Sequence, residues 1–90
     1  MDRQAYMERM ADNLPVLRAK LSFSQEQLGK TVGMSRGAII AIEKKKRSMT
    51  WPTYLALVLV FSRNEGSAKL MDALEIYNDK ILGGNHDGNY

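Results

Sequence analysis

Cysteine is absent from the 90-residue chain, and histidine occurs once, as His86. Without thiols the chain can form neither disulfides nor thiolate metal sites. The histidine lies in a glycine-rich terminus, where nothing fixes its geometry, and no cluster of side chains has metal-ligand spacing or forms a phosphate-binding glycine loop. The sequence therefore predicts neither an enzyme nor a bound cofactor or metal. The lack of cysteine favours a cytoplasmic location.

Long apolar runs are also missing. The longest run, from Tyr54 to Phe61, has eight residues, whereas a membrane-spanning helix needs about 20. The N-terminus is charged and lacks the apolar segment of a secretory signal, so we expect no membrane association. Aromatic residues are few, 8% of the chain, and spread over separate predicted helices. That scatter argues against a base-stacking platform for single-stranded nucleic acid.

Positive charge, by contrast, is concentrated in one stretch. The net charge is only +3, yet residues 30–47 hold six basic side chains and one acidic side chain, Glu43. The six are Lys30, Arg36, Lys44, Lys45, Lys46 and Arg47. A focused positive field suits a polyanionic partner, although a solvated basic face without any partner is the simpler alternative.

Capping residues and apolar periodicity predict an all-α fold. Ser24 and Gln27 have the spacing of a capping box. The helix that they open should run to about Val32, where Gly33 supplies the positive φ that ends a helix. Ser35 then caps a second helix. Two helices joined by so short a turn cross at a steep angle, which is helix-turn-helix geometry.

Further helices are predicted on both sides of this pair. Because Pro15 disfavours helix at the residue before it, we expect a separate N-terminal helix over residues 3–12 and a first core helix over 15–21. Another helix should begin at Thr50-Trp51-Pro52. Tyr54, Leu57, Val58 and Phe61 share one face of this helix, but apolar residues also lie on its other sides. Because the helix is apolar all round, we expect it to be buried.

The C-terminal region carries a different pattern. Leu70, Leu74, Tyr77 and Ile81 recur at 4-3-4 spacing, which predicts a last helix over residues 67–82 with one apolar seam. The segment 83–90 is polar and rich in glycine, so we expect a flexible tail.

The stretch SQEQLGKTVGMSRGAIIAIE, residues 24–43, resembles the phage-repressor (Cro/XRE-type) helix-turn-helix family. Apolar, small and turn positions carry the match: Leu28, Gly29, Val32, Gly33, Met34, Ile39 and Ile42. The resemblance covers roughly residues 14–62. It implies a lambda-repressor-like helix-turn-helix bundle of about five helices with an added N-terminal helix, forming a single domain over residues 1–82.

The resemblance also implies a DNA-binding surface. A recognition helix, about residues 35–44, would enter the major groove and present to the bases Ser35, Arg36, Gly37, Ile40 and Ala41. Only Arg36 has the paired donors that suit guanine O6 and N7, whereas Ile40 and Ala41 offer apolar contact, as to thymine methyl groups. Phosphate contacts would come from the start of the preceding helix and from the basic loop, through Gln25, Lys44, Lys45, Lys46 and Arg47.

One ion pair is implied as well. Arg18 and Glu43 occupy positions where family members commonly pair an arginine of the first helix with a glutamate that ends the recognition helix. Such a pair would fix the angle between the two helices, unless both side chains are simply solvated. Lys45 departs from the family, since many members have a helix-ending glycine there.

Two functions remain open. The first is a sequence-specific regulator of transcription that binds double-stranded DNA as a homodimer, with half-sites about one DNA turn apart. Its dimer surface would lie on the two C-terminal helices, which otherwise only close the core; the candidate residues are Leu55, Leu59, Leu70, Leu74, Tyr77 and Ile81. The second is an antitoxin-like or adaptor module, whose Gly-Ala-Ile-Ala face would bind a protein partner such as a toxin.

Overall fold

Five α-helices and a final 3-10 turn make up residues 2–82, the part of the chain that the computed structural model describes. The helices are α1 (Arg3–Leu21), α2 (Gln25–Val32), α3 (Arg36–Glu43), α4 (Trp51–Ser62) and α5 (Glu65–Ala73), and the 3-10 turn spans Asp79–Leu82. The all-α prediction is confirmed. The predicted tail, residues 83–90, lies outside the described residues, as does His86. Within residues 2–82 no helix has both the length and the apolarity needed to cross a membrane.

The core is organised around α4, which contacts α1, α2 and α5. One side of α4 is buried, through Tyr54, Leu57, Val58 and Phe61, but Leu59 on another side is exposed, so the helix is not buried all round as expected. The same core cluster contains fully buried side chains of α1, α2 and α3: Met10, Leu14, Leu17, Leu28, Ile39 and Ile42. The helix-turn-helix pair therefore rests on α1 and α4 through three residues of α2 and α3.

The N-terminal region forms one helix and not two, so the expectation of separate helices over 3–12 and 15–21 is wrong. α1 runs without a break through Pro15. Its buried face continues across the proline, through Met10, Ala11, Leu14 and Leu17, and this packing outweighs the local preference for extended backbone before proline. Pro15 itself lies on the exposed side, so its ring does not disturb that packing.

The last helix ends at Ala73, so the prediction of a helix over residues 67–82 is wrong. Glu75 adopts a left-handed φ of 57°, and the amides of Glu75 and Ile76 donate to the carbonyls of Asp72 and Met71. Beyond this cap the side chain of Ile76 is fully buried, and the hydroxyl of Tyr54 donates to the Ile76 carbonyl over 2.6 Å. Burial of Ile76 thus turns the chain away from the helix axis.

The predicted seam therefore does not exist as one helix face. Leu70 and Tyr77 pack partly buried against the core, whereas Leu74 is 42% exposed at the end of α5. Ile81 lies in the 3-10 turn. On α4, Leu55 is also partly buried against the core, but Leu59 is 64% exposed. Leu59 is thus the most exposed apolar side chain of the candidate dimer residues whose side chains are described.

The first turns of α1 hold the segment that follows α5. The Asn78 amide donates to the Tyr6 hydroxyl over 3.1 Å, and the guanidinium of Arg9 donates to the Glu75 carbonyl over 3.0 Å. The guanidinium of Arg3 lies 4.5 Å from the ring centroid of Trp51. The N-terminal turns of α1 therefore contact both α4 and the segment after α5.

Candidate nucleic-acid interface

The turn between α2 and α3 has the geometry that its sequence predicts. Ser24 and Gln27 form the capping box: the Gln27 amide donates to Ser24 Oγ over 3.0 Å, and the Ser24 amide donates to Gln27 Oε1 over 2.8 Å. Gly33 ends α2 with a φ of 76°, a conformation that most other residues adopt only with strain. The start of α2, the turn and α3 are therefore fixed relative to one another.

Gly29 is required by the close approach of backbone at this turn. The amide of Met34 donates to the Gly29 carbonyl over 2.7 Å. A β-carbon at position 29 would collide with the carbonyl oxygen of Met34, which is backbone and cannot move away. Position 29 therefore requires glycine, and α3 can sit close against α2 because of it.

α3 has an inward face and an outward face. Ile39 and Ile42 are fully buried, whereas Arg36 and Gly37 are exposed and Ile40 and Ala41 are half-buried. The five residues predicted to contact bases thus lie together on the solvent side of one helix, or at its N-cap in the case of Ser35. Arg36 has no hydrogen-bond or ion-pair partner among residues 2–82, so its guanidinium can bind an external group.

Two of these outward residues, Ser35 and Gly37, differ in whether the fold requires them. Ser35 caps α3, because its Oγ accepts from the Ala38 amide over 3.1 Å; its hydroxyl proton can still be donated outward. Gly37 has no comparable role in the structure of α3. A β-carbon there would meet only Ser35 Oγ, at 4.0 Å, so neither packing nor backbone conformation demands glycine at this position.

The basic loop after α3 begins with a helix cap in which a lysine takes the place of glycine. Lys45 has a φ of 61°. Its amide donates to the Ile42 carbonyl over 3.0 Å, and the Lys46 amide donates to the Ala41 carbonyl over 2.9 Å, which is the hydrogen-bond pattern of a Schellman cap. The chain therefore turns sharply at the point where the predicted phosphate-contacting lysines begin.

The four basic residues of this loop are not equivalent. The ammonium of Lys45 lies 2.7 Å from Asp12 Oδ1 on α1, and this hydrogen bond raises the pKa of Lys45. Lys44, Lys46 and Arg47 are exposed and have no ion-pair partner in the described part of the chain. We therefore separate Lys45, which is tied to α1, from the other three cations.

The predicted ion pair between Arg18 and Glu43 is confirmed, and it is part of a larger cluster. Arg18 donates from Nε to Glu43 Oε2 over 2.6 Å and from Nη2 to Glu43 Oε1 over 3.1 Å. It also donates to the Phe23 carbonyl over 3.0 Å. The two charged side chains are only 17% and 7% exposed, so the cluster locks the end of α3 to α1 and to the loop before α2.

Gln25 joins this cluster, which the sequence did not suggest. Its Nε2 donates to Glu43 Oε1 over 2.9 Å, so its amide is engaged with α3 where a phosphate contact was predicted. Asp12 was also missed, because an acidic residue on an N-terminal helix gives no local signal that it faces a loop 33 residues later. Only the tertiary packing of α1 against α3 brings these groups together.

Comparison of the chain with protein-family models, with curated proteins and with solved structures finds no match. Among residues 2–82, no group of three or more histidine or acidic side chains could hold a metal ion. The geometry of α3 and of the basic loop is therefore the basis on which a function can be proposed.

Proposed function

We propose that the chain is a sequence-specific regulator of transcription that binds duplex DNA, with α3 in the major groove and the basic loop on the phosphate backbone. One observation carries the proposal. An exposed helix face has a bidentate donor, Arg36, at one end and three exposed cations, Lys44, Lys46 and Arg47, at the other. A guanidinium suits guanine O6 and N7, and lysines suit phosphates, which position a protein without reading sequence.

The internal hydrogen bonds support the proposal that α3 contacts the bases while the basic loop contacts the phosphates. The Arg18–Glu43–Gln25 cluster uses groups that point away from the outward face of α3, and it holds the helix against α1. A recognition helix of eight residues has little stability of its own. It therefore needs such tertiary anchoring to present Arg36 in one fixed direction.

We also propose that the chain acts as a homodimer. A single recognition helix with one strong base-reading side chain gives limited discrimination, about 1–3 kcal/mol for a good bidentate contact. Two copies bound to half-sites one DNA turn apart would double the number of base contacts, and the required distance between the half-sites would add to the specificity. Leu59, 64% exposed on an α4 that contains no charged residue, is the candidate contact between the copies.

The salt dependence of binding tests the DNA proposal. Removing one phosphate contact should reduce the slope of log affinity against log salt by about 0.9. Alanine at Lys44, Lys46 and Arg47 together should flatten the slope on every duplex tested. The matched comparison is between single variants: Lys45→Ala removes one charge from the same loop, but from a side chain that is bound to Asp12, so it should change the slope less than Lys44→Ala, Lys46→Ala or Arg47→Ala.

A second candidate function is an antitoxin-like or adaptor module that binds a protein. The half-buried apolar pair Ile40 and Ala41 on the outward face favours it. The two functions differ in their response to salt, because an apolar protein contact is insensitive to ionic strength whereas counterion release is not. Equal affinity for duplex DNA at about 50 and 300 mM salt would contradict DNA as the main partner.

A further inference from the structure

Ile40 is an apolar side chain that the core does not use. The isoleucines on either side of it along α3, Ile39 and Ile42, are fully buried. Ile40 is only half-buried, and it is not among the apolar side chains that pack against the core formed by residues 2–82. Its exposed surface is therefore available to a partner.

The neighbours of Ile40 on the outward face are cations. Arg36 lies one turn before it and Lys44 one turn after it, so the three side chains share one stripe of the helix surface, and both basic residues are exposed. An apolar contact between two cations suits a polyanion that also displays a small apolar group. In the major groove of duplex DNA that group is the 5-methyl of thymine, and 5-methylcytosine carries the same methyl at the same position.

The second stripe of the outward face leaves room for a base edge. Gly37 and Ala41 also lie one turn apart, and neither has a side chain larger than a methyl group. Side chains of a helix lean toward its N-terminus, so Ile40 covers the surface over the turn that carries Arg36. A group in contact with Ile40 is therefore next to the group that Arg36 binds.

We propose, on the basis of the DNA-binding function proposed above, that Ile40 determines specificity for a 5-methylpyrimidine beside the guanine that Arg36 contacts. Thymine and 5-methylcytosine are the two bases with this chemistry. Arg36 supplies hydrogen bonds to the guanine, and Ile40 supplies the apolar contact that distinguishes a methylated pyrimidine from an unmethylated one.

The test uses the full chain and a duplex site selected from random DNA. At the position beside the guanine whose preference depends on Arg36, four probes carry thymine, uracil, 5-methylcytosine or cytosine, each with its complementary purine. Thymine should bind about fourfold more tightly than uracil, and 5-methylcytosine about fourfold more tightly than cytosine, as expected for the burial of one methyl group.

Two variants assign the effect to Ile40. In Ile40→Ala both ratios should fall toward one, while Ile40→Val, which keeps a branched side chain, should retain most of the difference. Val16→Ala removes an apolar side chain of α1 that is 49% exposed and has no part in the proposed DNA or dimer contacts, and it should leave both ratios unchanged.

The outcomes separate this proposal from the one on which it rests. Ratios of one at every pyrimidine, with salt-dependent binding intact, would overturn methyl readout and leave DNA binding in place. A ratio that persists in Ile40→Ala would also overturn it, since another group would then contact the methyl. The loss of salt-dependent binding to every duplex would instead remove the DNA-binding function itself, and methyl readout with it.

Discussion

Replacing Gly37 by alanine should make the protein more stable and a weaker DNA binder. Nothing in the fold requires glycine here, since the nearest atom to an added β-carbon is Ser35 Oγ, at 4.0 Å. Glycine in a helix is less favourable than alanine by about 0.5–1 kcal/mol. Position 37 is in the first turn of α3, so the gain should be near the lower value. For a domain of this size about 0.5 kcal/mol corresponds to a rise of about 2–4 °C in Tm.

Binding should change in the opposite direction. If α3 enters the major groove with Gly37 toward the bases, the added methyl occupies space that the DNA needs. Overpacking of a close contact typically costs about 1–3 kcal/mol, and about 1.4 kcal/mol is tenfold in affinity. We therefore expect Gly37→Ala to weaken binding to the selected site by about fivefold or more. Thermal unfolding and a fluorescence-anisotropy titration on one preparation measure both effects.

Gly66 provides the matched control. It occupies the same position in α5, two residues after the cap Asn64, but it lies far along the chain from α3. A β-carbon there would be 3.2 Å from Asn64 Oδ1, so Gly66→Ala should gain less stability than Gly37→Ala, and its DNA affinity should equal that of the original chain. Full affinity in Gly37→Ala, together with the rise in Tm, would refute the placement of α3 in the groove.

Three further predictions concern the fold. Glu43→Ala leaves Arg18, whose side chain is only 17% exposed, without its carboxylate partner. Urea unfolding should show that the free energy of unfolding falls by about 3 kcal/mol. A fall of less than about 1 kcal/mol would mean that the ion pair is effectively solvated. Tyr54→Phe removes the donor to the Ile76 carbonyl and should cost about 1–2 kcal/mol at neutral pH. Burial raises the pKa of Tyr54, so above about pH 10 the Tyr54 hydroxyl ionises in the unfolded chain but not in the folded chain. The free energy of unfolding should therefore fall above that pH, and it should fall less steeply in Tyr54→Phe. Glu75→Gly places glycine at a left-handed φ of 57°. That conformation costs other residues about 1–2 kcal/mol, whereas glycine loses about 0.5–1 kcal/mol more in conformational entropy on folding. Stability should therefore rise, by about 1 kcal/mol at most, and a decrease would mean that the Glu75 side chain contributes more than its backbone strain costs.

The elements that the sequence predicted well are those specified by local chemistry. Ser24 and Gln27 cap α2 because their side chains reach amides three residues away, and Gly33 ends the helix because it alone takes the positive φ cheaply. Tyr54, Leu57, Val58 and Phe61 could be grouped on one side of α4 because residues three and four apart share a helix face, but only the structure shows that this side and not that of Leu59 is buried. These signals act within a few residues, so they can be read without the tertiary structure.

The errors arose where tertiary packing outweighs a local signal. Pro15 indicated a helix boundary, but the buried face on both sides of it keeps α1 continuous. The spacing of Leu70, Leu74, Tyr77 and Ile81 indicated a long helix, but burial of Ile76 and its bond to Tyr54 end α5 early. In addition, Lys45 and Glu75 adopt left-handed conformations without being glycine, which no residue-type pattern reveals.

The predictions for the candidate site also fall into two groups, those that follow from local pattern and those that depend on tertiary contacts. The outward set on α3 followed from helical periodicity, because burial of Ile39 and Ile42 leaves Arg36, Gly37 and Ile40 outside. The partners of Gln25 and Lys45 depend instead on contacts between α1, α2 and the loop after α3. Charge alone made the four basic residues of the loop look alike, and only their surroundings distinguish them.

Selection of binding sites from random duplex DNA, carried out in parallel with the original chain and with Arg36→Ala, tests the central claim most directly. The account predicts an enriched, near-palindromic motif for the original chain, and loss of preference at one guanine in each half-site for Arg36→Ala, with the other positions retained. An identical motif from both proteins, or no enrichment from either, would contradict the assignment of α3 as a base-reading helix.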